Sequence, residues 1–193
     1  MNSISSNKQE DFFDKFPILE TDRFILKELT DVYLPHIIEV MLEKETMEYS
    51  GMIIINPDKQ AKMFLGKVKD MYESKKGIRW AIIDKTTGSY IGDIGYYNIE
   101  IYSKHTELGY TISNQYWRKG IATECINKLT EFALNEFGMN KIVLMIDDRN
   151  KKSINLANKI GFKHDGILRE EHYLKDNDEY ISMNIFSKLK REF

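Results

Sequence analysis

The sequence predicts one α/β (α+β) domain built around a mixed central sheet of about seven strands. The 193 residues fit a single domain of ordinary size, and 42% of them are hydrophobic, which is enough for a sizeable core. Apolar residues recur with period two in some segments and with helical spacing in others. The segment KIVLMID (141–147) contains a continuous apolar run, as expected for a strand buried on both faces of a sheet.

Composition defines the predicted domain boundaries. Residues 1–15 are polar and mixed in charge, which is typical of a flexible N-terminal leader. Beyond them the sequence has no internal repeat, no Pro/Gly/Ser-rich linker and no shift in composition at which a second domain would begin. We therefore predict one domain over residues 16–193.

The first half of the domain contains four predicted strands and two predicted helices. RFILKEL (23–29) alternates in hydrophobicity, as an edge strand does. Residues 31–48 carry apolar side chains at helical spacing, and a second amphipathic helix follows them. IRWAIID (78–84), SYIGDIGYYNIE (89–100) and HTELGYTI (105–112) then form three strands in series.

The second half contains two more helices and three more strands. A long helix covers residues 120–137, and Gly138 is its natural C-terminal stop. The strand 141–147 follows, and a helix of about ten residues then ends before Gly161. The last two strands form a hairpin around the turn DND (176–178). The predicted order is therefore β-α-α-β-β-β-α-β-α-β-β.

Bulk composition argues against several classes of function. The formal net charge is −2, whereas nucleic-acid binders carry a strong basic excess. Cys125 is the single cysteine, so neither an intramolecular disulfide nor a cysteine-based metal cluster is possible, and the four histidines lack metal-ligand spacing. No apolar run approaches the length of a membrane span, and the N-terminus lacks a secretory signal. We expect a soluble cytoplasmic monomer or homodimer with no metal, nucleic-acid or membrane partner.

The stretch YWRKGIATE (116–124) is a candidate ligand site, because a basic turn with Gly120 leads directly into a helix. The first amides of a helix have no internal partners and the helix dipole favours negative charge there, so this end can bind an anion. Gly120 allows close approach to the backbone, and Arg118 and Lys119 add positive charge. The chain has neither a P-loop pattern nor a Rossmann G-x-G-x-x-G pattern. Taken alone, the stretch leaves a solvated basic turn as the alternative.

Further motifs surround this stretch. TDRFILKEL lies near the start, GDIGYYNI and ELGYTISNQYWRKGIATECI follow, and DRNKKSINLANKIGFKHDGILREEHYLKD comes last. In this order they resemble the GNAT acetyltransferase superfamily, and within it the branch of ribosomal-protein N-terminal (alanine/serine) acetyltransferases. The resemblance spans about residues 17–189. Three positions differ from the superfamily pattern. Trp117 stands where Gln or Arg is usual, although Trp is common in this branch. Asn158 stands where Glu is usual, and Lys27 stands where Arg is common.

The resemblance implies acetyl-CoA as the acetyl donor. Its pyrophosphate would lie on backbone amides of residues 118–123, and its pantetheine arm along the strand 107–112, which in this fold separates from the strand 141–147. Asn150 would contact the same arm. The implied cofactor-binding residues are Tyr110, Thr111, Ile112, Trp117, Arg118, Lys119, Gly120, Ile121, Ala122, Thr123, Asn150 and Ser153.

Acetyl transfer to an amine needs a neutral amine, a stabilised oxyanion and a proton for the departing thiolate. Glu107 is the candidate base, directly or through water, since glutamates at this strand act so in related enzymes; the alternative is an exposed strand charge. A backbone amide of the same strand is the candidate oxyanion donor. Ser153 is the candidate donor to the thiolate, although Asn150 and Ser153 are also ordinary helix-capping residues. Tyr173 is a rival donor.

These inferences predict an acetyl-CoA-dependent N-acetyltransferase that acts on a primary amine. The branch that the chain resembles makes a protein N-terminal α-amine the first acceptor to consider. Neutralising such an amine at pH 7 costs about 1–1.4 kcal/mol, against about 4.6 kcal/mol for a lysine amine, so it needs little help from a base. A small-molecule amine (polyamine, aminoglycoside or amino-acid-like) is the alternative acceptor. A non-catalytic CoA-binding module is the third hypothesis.

Overall fold

An eight-stranded mixed sheet forms the centre of the protein, as seen in a computed structural model that describes residues 12–174 and 178–193. The strand order is β1-β2-β3-β4-β5-β6-β8-β7, in which β5 and β6 are parallel and the other neighbours are antiparallel. The strands are β1 (Leu19–Glu20), β2 (Phe24–Glu28), β3 (Ile78–Asp84), β4 (Tyr90–Glu100), β5 (His105–Ile112), β6 (Lys141–Asp147), β7 (Lys163–Leu174) and β8 (Glu179–Leu189).

Helices cover both faces of this sheet. The α-helices are α1 (Leu34–Leu42), α2 (Lys44–Met47), α3 (Pro57–Glu73), α4 (Ile121–Glu131) and α5 (Lys151–Lys159). Helices α1 and α3 pack on one face, and α4 and α5 pack on the other. None of the described helices is long and apolar enough to cross a lipid bilayer. The cytoplasmic location expected from the sequence stays a prediction.

This architecture confirms the predicted α/β fold and the order of its elements. Each of the seven predicted strands is present, and the eighth is the pair Leu19–Glu20, which aligns antiparallel to β2. Two residues are too few to show the alternation by which a strand is recognised in a sequence. The turn of the last hairpin was predicted at residues 176–178, and 176 and 177 lie outside the described residues.

The helix predicted over residues 31–48 is not continuous. A 3₁₀ turn (Asp31–Tyr33) precedes α1, and the backbone of Glu43 is extended (ψ 100°) between α1 and α2. The Glu43 carboxylate accepts hydrogen bonds from the Ser113 hydroxyl (2.6 Å) and the Asn114 amide (2.8 Å). Glu43, at the break between the two helices, therefore ties the α1–α2 segment to the end of β5.

The helix predicted over residues 120–137 changes its hydrogen-bonding pattern before it ends. Helix α4 passes into one π-helical turn (Phe132–Glu136), and Gly138 follows in the left-handed region with φ 80°. The predicted stop at Gly138 is thus confirmed, because glycine takes a positive φ without steric cost. A π turn has no local sequence signal comparable to a cap, so the change of helix type was not predicted.

Two apolar cores lie on the two faces of the sheet. The larger core packs α4 and α5 against one face, and its bulkiest fully buried side chains include Trp80, Tyr96, Phe132 and Phe137. The smaller core packs α1 and α3 against Ala81 and other residues of the opposite face. Alternate residues of β3 enter different cores, since successive side chains of a strand point to opposite faces.

Part of the segment predicted as a leader contacts the larger core. The rings of Phe12 and Phe13 pack against Phe137 with centroid distances of 5.6 and 6.1 Å, and the Tyr72 hydroxyl donates to the carbonyl of Phe12 at 3.1 Å. Residues 1–11 of the predicted leader lie outside the described residues, so the leader and its boundary stay predictions.

The two parallel strands at the centre of the sheet stay paired over only a short length. Strand β5 pairs with β6 at three positions, from His105↔Lys141 to Glu107↔Val143. Beyond them β6 continues to pair with β8 as far as Asp147, and β5 continues to pair with β4 as far as Ile112. The strands therefore separate and leave a wedge between residues 108–112 and 144–147, as the family resemblance implied.

Leu129→Ala tests the contribution of α4 to the larger core. The Leu129 side chain is 0% exposed, and removing a buried leucine side chain should lower the free energy of unfolding by about 2–5 kcal/mol. The exposed Asn127 lies on the same helix, so Asn127→Ala is the control and should change stability by no more than about 0.5 kcal/mol. Urea denaturation of the two variants measures both values, and similar losses would contradict this packing.

Candidate active site

A cavity of about 160 Å³ occupies the wedge between β5 and β6. Neighbouring residues of β6, including Leu144, Met145 and Asp147, line it. Successive side chains of a strand point to opposite faces of the sheet. Residues from both faces therefore line the cavity at the point where the two strands separate. Tyr49, which follows α2, and Ser153 of α5 line it as well.

A second cavity, of about 400 Å³, adjoins the wedge on the side of α4 and α5. It shares Tyr49, Tyr110, Asn150, Ser153 and Leu156 with the wedge cavity. Ten of the twelve residues predicted to bind the cofactor line it: Tyr110, Ile112, Trp117, Arg118, Gly120, Ile121, Ala122, Thr123, Asn150 and Ser153. The predicted pyrophosphate turn and the predicted pantetheine wedge are thus continuous.

The turn before α4 leaves the N-terminus of this helix open. Gly120 is the N-cap, with φ 76°, and no side chain in the described part of the chain caps the helix. Arg118 also has a positive φ of 62°. The first helical hydrogen bond runs from the Glu124 amide to the Gly120 carbonyl at 3.1 Å. The amides of residues 121–123 precede that bond, and together with the helix dipole they form an anion-binding end.

Aromatic rings support the basic residues around the turn. The Lys152 ammonium lies 4.3 Å from the ring centre of Trp117, and the Lys119 ammonium lies 5.2 Å from that of Tyr116. Lys119 is exposed and does not line the cavity, so it contributes charge at a distance. The Trp117 indole donates to the Ile112 carbonyl at 2.7 Å, which engages one backbone acceptor where pantetheine was predicted to bind.

Thr111 also lies outside the cavity lining, because its side chain points to the opposite face of the sheet. There the hydroxyl accepts a long hydrogen bond (3.5 Å) from Arg79, whose guanidinium is paired with the buried Asp93. A contribution of Thr111 to cofactor binding would therefore come from its backbone.

The phenol of Tyr110 and the hydroxyl of Ser153 form a hydrogen-bonded pair with an O–O distance of 3.1 Å. Burial raises the pKa of Tyr110, while the hydrogen bond with Ser153 acts in the opposite direction. The Asn150 side-chain oxygen accepts from the Ser153 amide at 3.0 Å and caps α5. The Asn150 oxygen is therefore engaged, and its amide NH₂ is the group left for a ligand. Tyr110 was expected from the sequence only as a cofactor-binding residue of the strand, and the position of its phenol beside Ser153 was not predicted.

Glu107 lies at the closed end of the wedge. It occupies the last paired position of β5, opposite Val143, is partly buried, and accepts a hydrogen bond from the Asn98 side chain at 2.9 Å. It does not line either cavity. Tyr173, the rival proton donor, is half-exposed and donates to Asp178 at 2.8 Å, again outside both cavities.

Asp147 is a carboxylate of the wedge cavity that the sequence analysis did not single out. Its two oxygens accept hydrogen bonds from Arg149 at 3.0 and 2.7 Å, and Arg149 also donates to Glu179 at 2.9 Å. Burial alone would raise the pKa of Asp147, but the hydrogen bonds from Arg149 outweigh it and lower that pKa. An ionised carboxylate that accepts two hydrogen bonds from Arg149 is a poor proton acceptor, so Asp147 is engaged in this ion pair.

Comparison with known proteins agrees with this architecture. The acetyltransferase (GNAT) domain family matches residues 23–163. The uncharacterized N-acetyltransferase YoaA of Bacillus subtilis (strain 168) is 33% identical over 175 residues, which cover 91% of this chain and 98% of the relative.

Two solved structures share the fold at low sequence identity. RimL, an alpha-N-protein acetyltransferase of a ribosomal protein solved with coenzyme A, aligns with a TM-score of 0.78 at 14% identity, over 92% of this chain and 100% of its own. Spermidine N-acetyltransferase from Vibrio cholerae, solved with CoA and spermine, aligns with a TM-score of 0.76 at 20% identity. The alignment covers 89% of this chain and 98% of the spermidine N-acetyltransferase chain. The chain therefore belongs to the GNAT acetyltransferase family and is an acyltransferase that uses acetyl-CoA.

Proposed function

We propose that this enzyme acetylates the α-amino group of a protein N-terminus. The observation that carries the proposal is the chemistry of the wedge cavity. Among the described residues that line it, the only carboxylate is Asp147, and that carboxylate is already bonded to Arg149. A cavity without a free base suits an acceptor that is easily neutralised, and an α-amine costs about 1–1.4 kcal/mol at pH 7 against about 4.6 kcal/mol for a lysine-like amine.

The proposed cofactor position uses the continuous cavity. The open amides of residues 121–123 would hold the pyrophosphate, with Arg118 at the cavity wall adding positive charge. The free edge of β5 and the NH₂ group of Asn150 would hold the pantetheine arm. Acetyl-CoA supplies an activated acetyl thioester, which in this position would lie near Tyr110 and Ser153.

The residues of the wedge have separate proposed roles in the transfer. A backbone amide of β5 would donate to the oxyanion, as in other acyl-transfer sites. Ser153 and Tyr110 would donate hydrogen bonds to the departing thiolate, and the raised pKa of Tyr110 keeps its phenol protonated for this purpose. Glu107 would receive the amine proton through water, because its carboxylate lies outside the cavity lining. The proton lost by nitrogen would thus pass to Glu107 and on to solvent. The thiolate would leave as a hydrogen-bonded anion and take up a proton from solvent, so the reaction balances.

A small-molecule amine is the second candidate acceptor. The likeness to spermidine N-acetyltransferase favours it, since the same fold there accompanies a polyamine. The third hypothesis, a CoA-binding module without activity, is disfavoured by the joint placement of the open helix end, Tyr110 and Ser153 at one cavity. Measuring CoA release with a panel of N-terminal peptides and a panel of polyamines, aminoglycosides and amino acids separates the three. Turnover with the amine panel only would overturn the N-terminal proposal.

Gly120→Glu tests the proposed pyrophosphate site. The substitution places a negative charge at the open end of α4, so the dissociation constant for CoA should rise at least about tenfold. Gly120 has a positive φ, and Gly88 is a matched control because its φ is 70° and no atom lies within 4 Å of an added Cβ. Gly88→Glu introduces the same kind of strain and charge in the turn between β3 and β4, which lines neither cavity, and should leave CoA affinity unchanged. Isothermal titration calorimetry measures the dissociation constant for CoA in both variants. A constant for Gly120→Glu equal to that of the wild type would exclude the site.

Glu107→Gln tests the proposed base. The variant should lose more turnover with polyamine or lysine-like amines than with an N-terminal peptide, because amines of higher pKa need more help to lose a proton. Steady-state kinetics at pH 7 with both acceptors gives the two ratios. Glu100→Gln, on the neighbouring strand, is the control and should keep both activities. Equal losses with the two acceptor classes would remove Glu107 from the role of base.

A further inference from the structure

An ion pair joins the start of the domain to the first turn of α4. The Arg23 guanidinium donates from Nε to one Glu124 oxygen at 2.7 Å, and the Arg23 backbone amide donates to the other at 3.1 Å. A third bond runs from Nη1 of Arg23 to the carbonyl of Lys119 at 3.0 Å. Arg23 thus contacts both sides of the turn that leads into the open helix end.

The position of Glu124 is unfavourable for a helix that binds a diphosphate. A carboxylate in the first turn of a helix interacts with the same positive helix end that an anionic ligand needs. Burial alone would raise the pKa of Glu124, but hydrogen bonds from Thr21 and Arg23 outweigh it and lower that pKa, so the group is ionised near neutral pH. Without a positively charged partner, the negative charge of Glu124 would oppose the binding of an anionic ligand at the same helix end.

The bond to Lys119 restrains the backbone of the turn itself. Lys119 lies between Arg118 and Gly120, both of which have a positive φ. An added Cβ on Gly120 would lie 3.6 Å from the guanidinium of Arg23, so this group sits directly against the turn. Because Arg23 holds the Lys119 carbonyl on its own side of the turn, the amides that follow remain available to the cavity.

We propose that Arg23 is a positioning residue for the pyrophosphate of CoA, which it assists by neutralising Glu124 and by fixing the Lys119 carbonyl. This inference rests on the proposed cofactor site. Arg23 does not line the cavity, so it acts through the turn and not by touching the ligand. The two side chains are 47% and 22% exposed, and an ion pair so exposed contributes little to folding. Its contribution to ligand binding should therefore be separable from stability.

The experiment compares two ligands in the wild type and in Arg23→Met. The dissociation constant for CoA should rise about tenfold in the variant, the range expected for one unbalanced charge beside a helix N-terminus. The constant for pantetheine, which lacks the diphosphate, should change less than twofold, and the melting temperature should stay within a few degrees. Calorimetry serves for CoA and ligand-observed NMR for pantetheine. Equal weakening of both ligands, or no change for either, would overturn the proposal.

Glu124→Gln provides the matched second variant. It removes the negative charge and leaves the bond from Arg23 to the Lys119 carbonyl possible, so CoA should bind as well as in the wild type or more tightly. A tenfold loss of CoA affinity in this variant would show that the pair acts through packing and would contradict the proposal. If the wild type itself fails to bind CoA, the proposed cofactor site fails; if it binds CoA and Arg23→Met binds equally well, only the role of Arg23 fails.

Discussion

The end of β5–β6 pairing after Glu107 and Val143 is the constraint on which the rest of the site depends. Both strands continue, each held by its other neighbour, so the facing edges between them keep backbone groups without a strand partner. A peptide group that is buried and unsatisfied costs roughly 1–3 kcal/mol. A polar ligand arm inserted there can satisfy the edge of β5, which makes the separated strands a binding site and not a defect of the sheet.

The same separation joins two environments that the sheet otherwise divides. On one face, the open end of α4 and the start of α5 line a positive, polar depression, where we propose that the phosphorylated donor binds. From the opposite face, Tyr49, Met145 and Asp147 reach the wedge cavity, and we propose that the amine approaches from this side. Glu43 links the two sides, since it ends α1 near Tyr49 and binds the residues that follow β5. The hydrogen bonds of Glu43 thus fix the α1–α2 segment relative to the segment that follows β5.

Local patterns predicted the elements of this fold well, and contacts between distant segments account for what they missed. Alternation and the apolar run at 141–147 are properties of neighbouring residues, so the strands were predictable. The break at Glu43 depends on Ser113, seventy positions along the chain, and no local pattern contains that contact. The pair Asn150 and Ser153 made Ser153 a candidate in the sequence, but its hydrogen bond with the Tyr110 phenol spans 43 residues. The candidate cofactor residues of one continuous turn are therefore easier to recognise in the sequence than the arrangement of the candidate catalytic groups, which lie on separate strands and helices.

The proton requirements of the reaction explain why the wedge can be poor in free bases. An α-amine is neutralised at small cost, and the neutral amine gives up a further proton only after the new bond to carbon begins to form, when its acidity has risen steeply. Under our proposal, water leading to Glu107 would therefore be a sufficient acceptor. A thiol of pKa about 8.5 is a good leaving group, so hydrogen bonds from Tyr110 and Ser153 suffice without full proton transfer. Orientation of the two reactants and exclusion of bulk water would then account for most of the rate enhancement under this proposal. Under this proposal, selection of the acceptor would fall to the shape and charge of the wedge cavity around Asp147, because the proton transfers demand little of the enzyme.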